Sequence, residues 1–242
     1  GIQKPTRLPK LITNSVEYME LLNEAIDRTG QQTSKRYKEE DIRAYRDGAS
    51  DPLRYPSYDW VNAMFDNALM HQHYLSVNGG GNKTTYNFGM GILNQDGVLM
   101  ATGYDKYDAM LNVNTKMNDF VSFGGNVNFT YGNRKQQNGA MQNTILCIYT
   151  AHPTYGPRLP DGSGRYVSRA YPYESSNQNP IAFSDLGGTT IDNYHASGTA
   201  YLKLNILDGL TGEVRGAGRW SMMNDLSQSA SIPVYYYSFI HI

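Results

Sequence analysis

Between Thr84 and Ile92 the chain alternates without a break: Thr84, Tyr86, Phe88, Met90 and Ile92 on even positions, Thr85, Asn87, Gly89 and Gly91 on odd ones. A period of two is the mark of a β-strand with two unlike faces. The pattern returns in Asp105 to Met117, where Tyr107, Ala109, Leu111 and Val113 oppose Lys106, Asp108, Asn112, Asn114 and Lys116, with Met110 the one exception. In Val121 to Tyr131 the apolar set is Val121, Phe123, Val127, Phe129 and Tyr131, against Ser122, Gly124, Asn126, Asn128 and Thr130. Tyr194 to Ile206 sets Ala196, Ala200, Leu202 and Leu204 against His195, Ser197, Thr199, Lys203 and Asn205. Leu210 to Met222 sets Val214, Trp220 and Met222 against Glu213, Arg215 and Arg219. Together with a run from Gln72, this predicts six strands, over 72–78, 83–93, 105–117, 120–132, 194–207 and 210–222.

Length is the second constraint. Most of these strands run for about 11 to 13 residues, against about 5 to 6 in an ordinary soluble sheet. Such a strand covers roughly 36 to 43 Å and, tilted by about 45°, crosses a hydrocarbon layer of about 25 Å. The connections alternate as well: Gly79 to Asn82 is short, Asn94 to Tyr104 longer, Asn118-Asp119 short, Gly132 to Asn193 long, and Asp208-Gly209 short. Tight turns at one end and long loops at the other describe a transmembrane barrel wall. The predicted fold class is therefore all-β, an antiparallel up-and-down meander forming part of a transmembrane β-barrel. A soluble antiparallel sheet with one buried face alternates in the same way. On pattern alone, a soluble all-β carbohydrate-binding module and a secreted hydrolase stay open beside the barrel.

Composition narrows the field. The 242 residues include 24 Gly, 20 Tyr and 21 Asn, and only 18% are charged, a β-rich and helix-poor mixture. Lys and Arg number 21 against 22 Asp and Glu, so no overall field recruits nucleic acid. The single Cys147 excludes an internal disulfide framework. The longest apolar runs, such as Ile145 to Tyr149, fall far short of the roughly 18 residues of a spanning helix.

Residues 1–71 read differently, with short helices before the strands begin. Asn14 caps a helix with Glu17 three residues on, and Val16, Met19, Leu22 and Ala25 or Ile26 form one stripe ending near Gly30. Tyr37 to Asp47 reads as a second, more polar helix stopped by Gly48, and Asp59 to Ala68 as a short amphipathic one. Residues 72–226 hold the strands, with a long loop at 133–193, and 227–242 are left unassigned.

Chemistry finds little purchase. His71 and His73 share a strand face, but no carboxylate or third His is patterned beside them, so a structural role is the better reading and no metal is expected. A phosphate loop would need Gly where Val77 and Asn82 stand and a helix after it, and an alternating strand follows instead, so Gly79 to Thr84 reads as a hairpin turn. No nucleophile, paired-carboxylate or triad signature is present, and neither an enzyme nor a cofactor is expected.

The same segments resemble a known family. Gly1-Ile2-Gln3, NSVEYMELLNEA from Asn14 to Ala25, Tyr55-Pro56 followed by Asp59-Trp60, and HQHYLSVNGG from His71 to Gly80 are similar to the SusC/RagA type of TonB-linked outer-membrane transporter. So are TTYNFGMGILNQDGVL from Thr84 to Leu99, NVNTKMND from Asn112 to Asp119, Asn179-Pro180-Ile181-Ala182, and AYLKLNILDGL from Ala200 to Leu210, in matching order over most of the chain. The resemblance implies a location in the cell outer membrane and a larger protein with a signal peptide, a plug, a TonB-contacting segment and a barrel of about 22 strands. It implies that Gly1-Ile2-Gln3 ends the first strand, that the six predicted strands are the second to seventh, and that the early helices lie in an external loop. A fragment of an importer for oligosaccharides or peptides is the expected identity, working with a SusD-like surface lipoprotein, with TonB through a segment not in this sequence, and with outer-membrane lipid around it.

External loops carry substrate specificity in that family, which draws attention to Ala151 to Tyr173. Aromatic rings stack on sugar faces, and this loop holds Tyr155, Tyr166, Tyr171 and Tyr173 among Arg158, Arg165 and Arg169. They are candidate ligand or partner contacts; packing of the loop on its neighbours is the competing reading. The alternation also sets facing: Phe88, Met90, Leu111, Phe123, Phe129 and Leu202 toward lipid, and Asn87, Asn112, Asn126, Lys203 and Arg215 toward the lumen.

Overall fold

The computed structural model describes residues 1–31, 33–137, 141–170, 179–185, 187–229 and 234–237. In chain order its strands are β1 (Ile2–Gln3), β2 (Ala68–Gly80), β3 (Thr84–Asp96), β4 (Gly103–Lys116), β5 (Val121–Gln137), β6 (Tyr166–Ala170), β7 (Gly187–Leu207), β8 (Leu210–Ser229) and β9 (Val234–Tyr237). Seven of them form one sheet in the order β1-β2-β3-β4-β5-β7-β8, every pairing antiparallel. This is the expected meander, and at its edge Ile2 pairs with Leu69 and Gln3 with Ala68. β6 and β9 form a separate parallel pair.

The register shows a sheet that is inclined. The last pairs before the three tight turns, Gly80–Thr85, Lys116–Ser122 and Leu207–Leu210, lie level with Tyr201, Lys203 and Leu207 of β7. The turn steps down by roughly one to two residues per strand; at about 3.3 Å per residue and about 4.8 Å between strands, that is a tilt of roughly 45°, the stagger a barrel wall needs.

One face of the sheet is apolar and open. Cross-strand neighbours Leu75, Met90, Ala109, Phe129, Ala196 and Trp220 form one row, and Val77, Phe88, Leu111 and Val127 the next. Phe88, Leu111, Val127 and Trp220 are 36%, 43%, 58% and 52% exposed, and no second sheet covers them among the described residues. Toward the loop end, the row Ile92, Tyr107, Tyr131, Tyr194 and Met222 is followed at once by Asn94, Asp105, Asn133, Asp192 and Asn224. Tyr131 Oη donates to Asp192 Oδ1 at 2.8 Å and Asn133 Nδ2 donates to the same oxygen at 2.6 Å, so the Tyr131 ring has an apolar side below and polar company above. From Tyr194 down to Leu204, as from Tyr131 to Val121, the apolar set runs roughly 33 Å of strand, or about 23 Å along a normal at that tilt, close to the height of a hydrocarbon layer.

The strands outrun their predicted limits, mostly at the loop end: β5 continues from 132 to Gln137, β7 begins at Gly187 rather than 194, and β8 continues to Ser229. The added segments, such as Asn133-Arg134-Lys135-Gln136-Gln137, are polar on both faces and so carry no alternation to read. Above a hydrocarbon layer, water on both sides leaves only backbone pairing to show a strand.

The loops are folded into a cap. Between β1 and β2 lie α1 (Ser15–Thr29), α2 (Glu39–Asp47) and α3 (Trp60–Met64); the β5–β7 connection adds α4 (Met141–Thr150) and α5 (Pro180–Asp185). Asn14 accepts from the Glu17 N–H at 3.0 Å, and Gly30, at φ 64°, closes α1 by donating to the Ile26 carbonyl at 2.8 Å. Asp59 caps α3 through the Asn62 N–H at 2.9 Å. Three connections then meet: the Met100 N–H donates to the Met64 carbonyl at 2.9 Å, and Trp60 Nε1 donates to the His152 carbonyl at 2.8 Å. Trp60, Val61, Met64, Leu99, Ile148, Tyr155 and Val167 form the larger buried cluster, and Met19, Tyr37, Ile42 and Tyr45 the smaller.

Candidate functional site

The polar face of the sheet is built from the set opposite the apolar rows, and its aromatic residues lie over glycines. A Cβ on Gly89 would strike the Tyr74 hydroxyl, and one on Gly124 would come within 2.8 Å of the Tyr201 ring. Rings laid flat against the wall keep this face shallow, and their hydroxyls enter the polar network: Tyr201 Oη donates to Asn114 Oδ1 at 2.8 Å.

Near the loop end this face opens into a cavity of about 600 Å³, walled by β3, β4, β5 and β7 with Met141 of α4 at its lip. Gln95, Tyr104 and Arg134 occupy successive cross-strand positions; Gly132 and Asn193 pair below them, then Thr130 and His195. Tyr104 leans over Gly132, where a Cβ would lie 3.3 and 3.4 Å from its ring carbons. The floor is fixed by Asp108, which accepts from Thr130 Oγ1 at 2.8 Å and pairs with Lys106 Nζ at 2.9 Å. Arg134 is exposed and has no ion-pair partner among the described residues, whereas the neighbouring Lys135 lies 3.8 Å from Asp105.

The loop residues singled out from the sequence fall in three places. Tyr155 is buried in the cap, its ring centroid 5.3 Å from that of Trp60, and burial pushes its hydroxyl far above the usual tyrosine range, partly opposed by the His152 backbone. Arg158 and Tyr166 come together: the guanidinium lies 4.3 Å from the ring centroid, donates to Tyr166 Oη at 3.0 Å and to Asp185 Oδ2 at 3.0 Å, and Tyr166 Oη donates to the same carboxylate at 2.7 Å. Burial first, then this bond to Asp185, raises the Tyr166 hydroxyl, with Arg158 opposing. Arg165 stacks on Tyr235 of β9 at 4.9 Å. Arg169 lies on β6, and Tyr171 and Tyr173 lie outside the described residues. Arg158, Tyr166 and Asp185 thus tie the loop to α5.

His71 and His73 stand on the apolar face at the loop end, ring centroids 6.5 Å apart, and among the described residues no three His, Cys, Asp or Glu gather as a metal site. No helix among them is long and apolar enough to cross a membrane. The cavity residues Tyr104, Arg134 and His195 were not singled out by sequence. Their one sequence signal is parity, since each falls in the polar set of its strand.

No family model matches the chain. It is 27% identical over 161 residues to the TonB-dependent receptor P26 of Formosa agariphila, an alignment taking in 64% of this chain and 16% of that protein. It is 27% identical over 138 residues to the TonB-dependent receptor SusC of Bacteroides thetaiotaomicron, 53% of this chain and 14% of that one. Among solved structures, that of the RagAB peptide transporter superposes with a TM-score of 0.67 at 17% identity, over 94% of this chain and 28% of that one. The RagAB peptide importer in its "open-open" state gives 0.66 at 15% identity, over 94% and 27%. At such identities the structural likeness is one of fold: a stretch of barrel wall with its external loops.

Proposed function

We propose, on the premise that the chain is SusC/RagA-like and part of a TonB-dependent receptor of the outer membrane, that it builds the opening strands of the wall of a nutrient importer. The cargo is an oligosaccharide or a peptide, the driving force reaches the protein through TonB, and a SusD-like surface lipoprotein sits over the loop end. The observation that carries this is the apolar face of the sheet, open across the height of a hydrocarbon layer and bounded by the Tyr107–Tyr131–Tyr194 row, on a sheet whose other face is polar. A soluble sandwich would bury that face under a second sheet.

In this reading the polar face lines the lumen, and the cap formed by α1 to α5 is the outer surface on which cargo and lipoprotein arrive. Contact with one or the other falls on the loop of Arg158, Arg165, Tyr166, Arg169, Tyr171 and Tyr173, with Tyr155 shaping that loop from behind. The protein moves its cargo without covalent chemistry; the relatives it matches are named receptors and transporters.

The test is made in the native host with the complete gene. Deletion should abolish uptake of labelled oligosaccharide or peptide, loss of TonB should do the same, and the protein should fractionate with the outer membrane. Recovery in the soluble fraction would overturn the reading.

A further inference from the structure

We infer that the cavity on the polar face of β3, β4, β5 and β7 is a subsite for an acidic oligosaccharide, with Tyr104 beneath a sugar ring and Arg134 on its carboxylate or sulfate. The inference rests on the importer reading and adds to it a cargo class and the residues that select it.

The volume, about 600 Å³, lies within the roughly 300 to 1,000 Å³ of small-molecule sites. Its lining is the first argument. Hydroxyl, amide and imidazole groups of Thr130, Asn193 and His195 line it from β5 and β7, Gln95 of β3 adds an amide that also donates to Gln3 Oε1 at 3.1 Å, and Met141 is the one aliphatic side chain among the lining residues. A peptide brings apolar side chains that need apolar walls; a sugar brings hydroxyls that need donors and acceptors, and a flat C–H face that needs an aromatic ring. Tyr104 supplies the ring, and it is held in place because Gly132 has no side chain to lift it off the wall.

Charge is the second argument. Of the two cations in the lining, Lys135 is turned to Asp105 on the opposite face, and Arg134 has no ion-pair partner among the described residues. Its cross-strand partner is Tyr104, so a group bound at the guanidinium belongs to a ligand that also covers the ring. A guanidinium offers two parallel N–H donors, which fit the two oxygens of a carboxylate or of a sulfate. The nearby Asp108 is already taken by Lys106 and Thr130, so it does not compete for Arg134.

The test uses the complete protein, purified in detergent from outer membranes with the partners that accompany it. Calorimetric titrations are run with four probes of equal length: an oligogalacturonide, a sulfated galacto-oligosaccharide, a neutral galacto-oligosaccharide and a Glu-rich peptide. One of the two acidic sugars should bind, and which one does identifies the anion as carboxylate or sulfate. Arg134→Gln should weaken that binding by about tenfold or more, and Arg134→Lys should restore part of it. Tyr104→Ala should weaken it too, while Tyr104→Phe, which keeps the ring, should not. Lys116→Gln, at the opposite end of the wall beside Asp119, serves as a charge control and should leave affinity unchanged. Binding of neither acidic sugar, equal binding of the neutral sugar or the peptide, or an Arg134→Gln protein with unaltered affinity would overturn the subsite. Outer-membrane location with import of a peptide would overturn the subsite and leave the importer reading standing; a soluble protein would overturn both.

Discussion

The cap and the wall of this molecule use the same apolar residue types toward opposite ends. In the cap, Met64 and Ile148 are 1% and 0% exposed, drawn from different connections into a core that water does not reach. On the wall, Leu111 and Trp220 keep about half of their surface open, although apolar residues are gathered there in cross-strand rows. The cap has the economy of a small globular domain in water, where burying apolar area supplies the driving force. The wall is coherent with a hydrocarbon as its solvent, because folded soluble proteins rarely leave such rows uncovered. Two solvents, read from one sequence, separate the helical spacing of Met19, Leu22 and Ile26 from the alternation of Phe88, Met90 and Ile92.

The contrast can be broken from either side. The largest effect is expected in the cap: Trp60→Ala removes the indole that bonds the His152 carbonyl and packs on Tyr155, costing about 3 to 5 kcal/mol. Limited proteolysis of the complete protein in membranes should then cut the connections around α3 and α4 while the strands stay protected. Next comes the wall. Val127 lies near the middle of the apolar height, and Val127→Arg should cost about 2 to 4 kcal/mol in the bilayer and reduce assembled protein in outer-membrane fractions. Asn128→Arg, one residue on and facing the other way, should assemble normally; equal damage from both would mean the faces are not distinct. The smallest effect is local to the cap: Asn14→Ala leaves the Glu17 N–H without its acceptor, about 1 kcal/mol, visible as faster hydrogen exchange in the first turn of α1 and nowhere in the wall.

What the sequence made legible follows the same division. Alternation found every long strand of the sheet, since hydrocarbon on one face and polar groups on the other write themselves into parity. It failed from 133 to 137 and from 187 to 193, where both faces are wet and Arg134, Gln136 and Asn193 look like loop residues. α1 was visible through Asn14 and Gly30. α4 had a signal, Met141, Ile145 and Ile148 at helical spacing, that passed as a mere apolar run; α5 is too short to show one. The β6–β9 pair joins segments far apart in the chain, which no local pattern encodes. The cavity was hidden for a related reason, because Tyr104, Arg134 and His195 come from three strands and meet only through the register. In the loop rich in Tyr and Arg, composition could not reveal that Tyr155 points inward to Trp60 and that Arg158 is held by Asp185.

The claim that the apolar face meets lipid is tested most directly at Leu111 and Asn112, adjacent residues with opposite facing. In the complete protein, with its cysteines, Cys147 among them, replaced by Ser, each is changed in turn to Cys, spin-labelled, and examined in bilayers by power-saturation electron paramagnetic resonance with oxygen and with a water-soluble nickel chelate. The account predicts a label at 111 that relaxes with oxygen and ignores nickel, and a label at 112 without the oxygen excess that marks lipid. A label at 111 shielded from oxygen, or reached by nickel as readily as by oxygen, would mean that this face is covered by protein or open to water, and the wall would not be a wall.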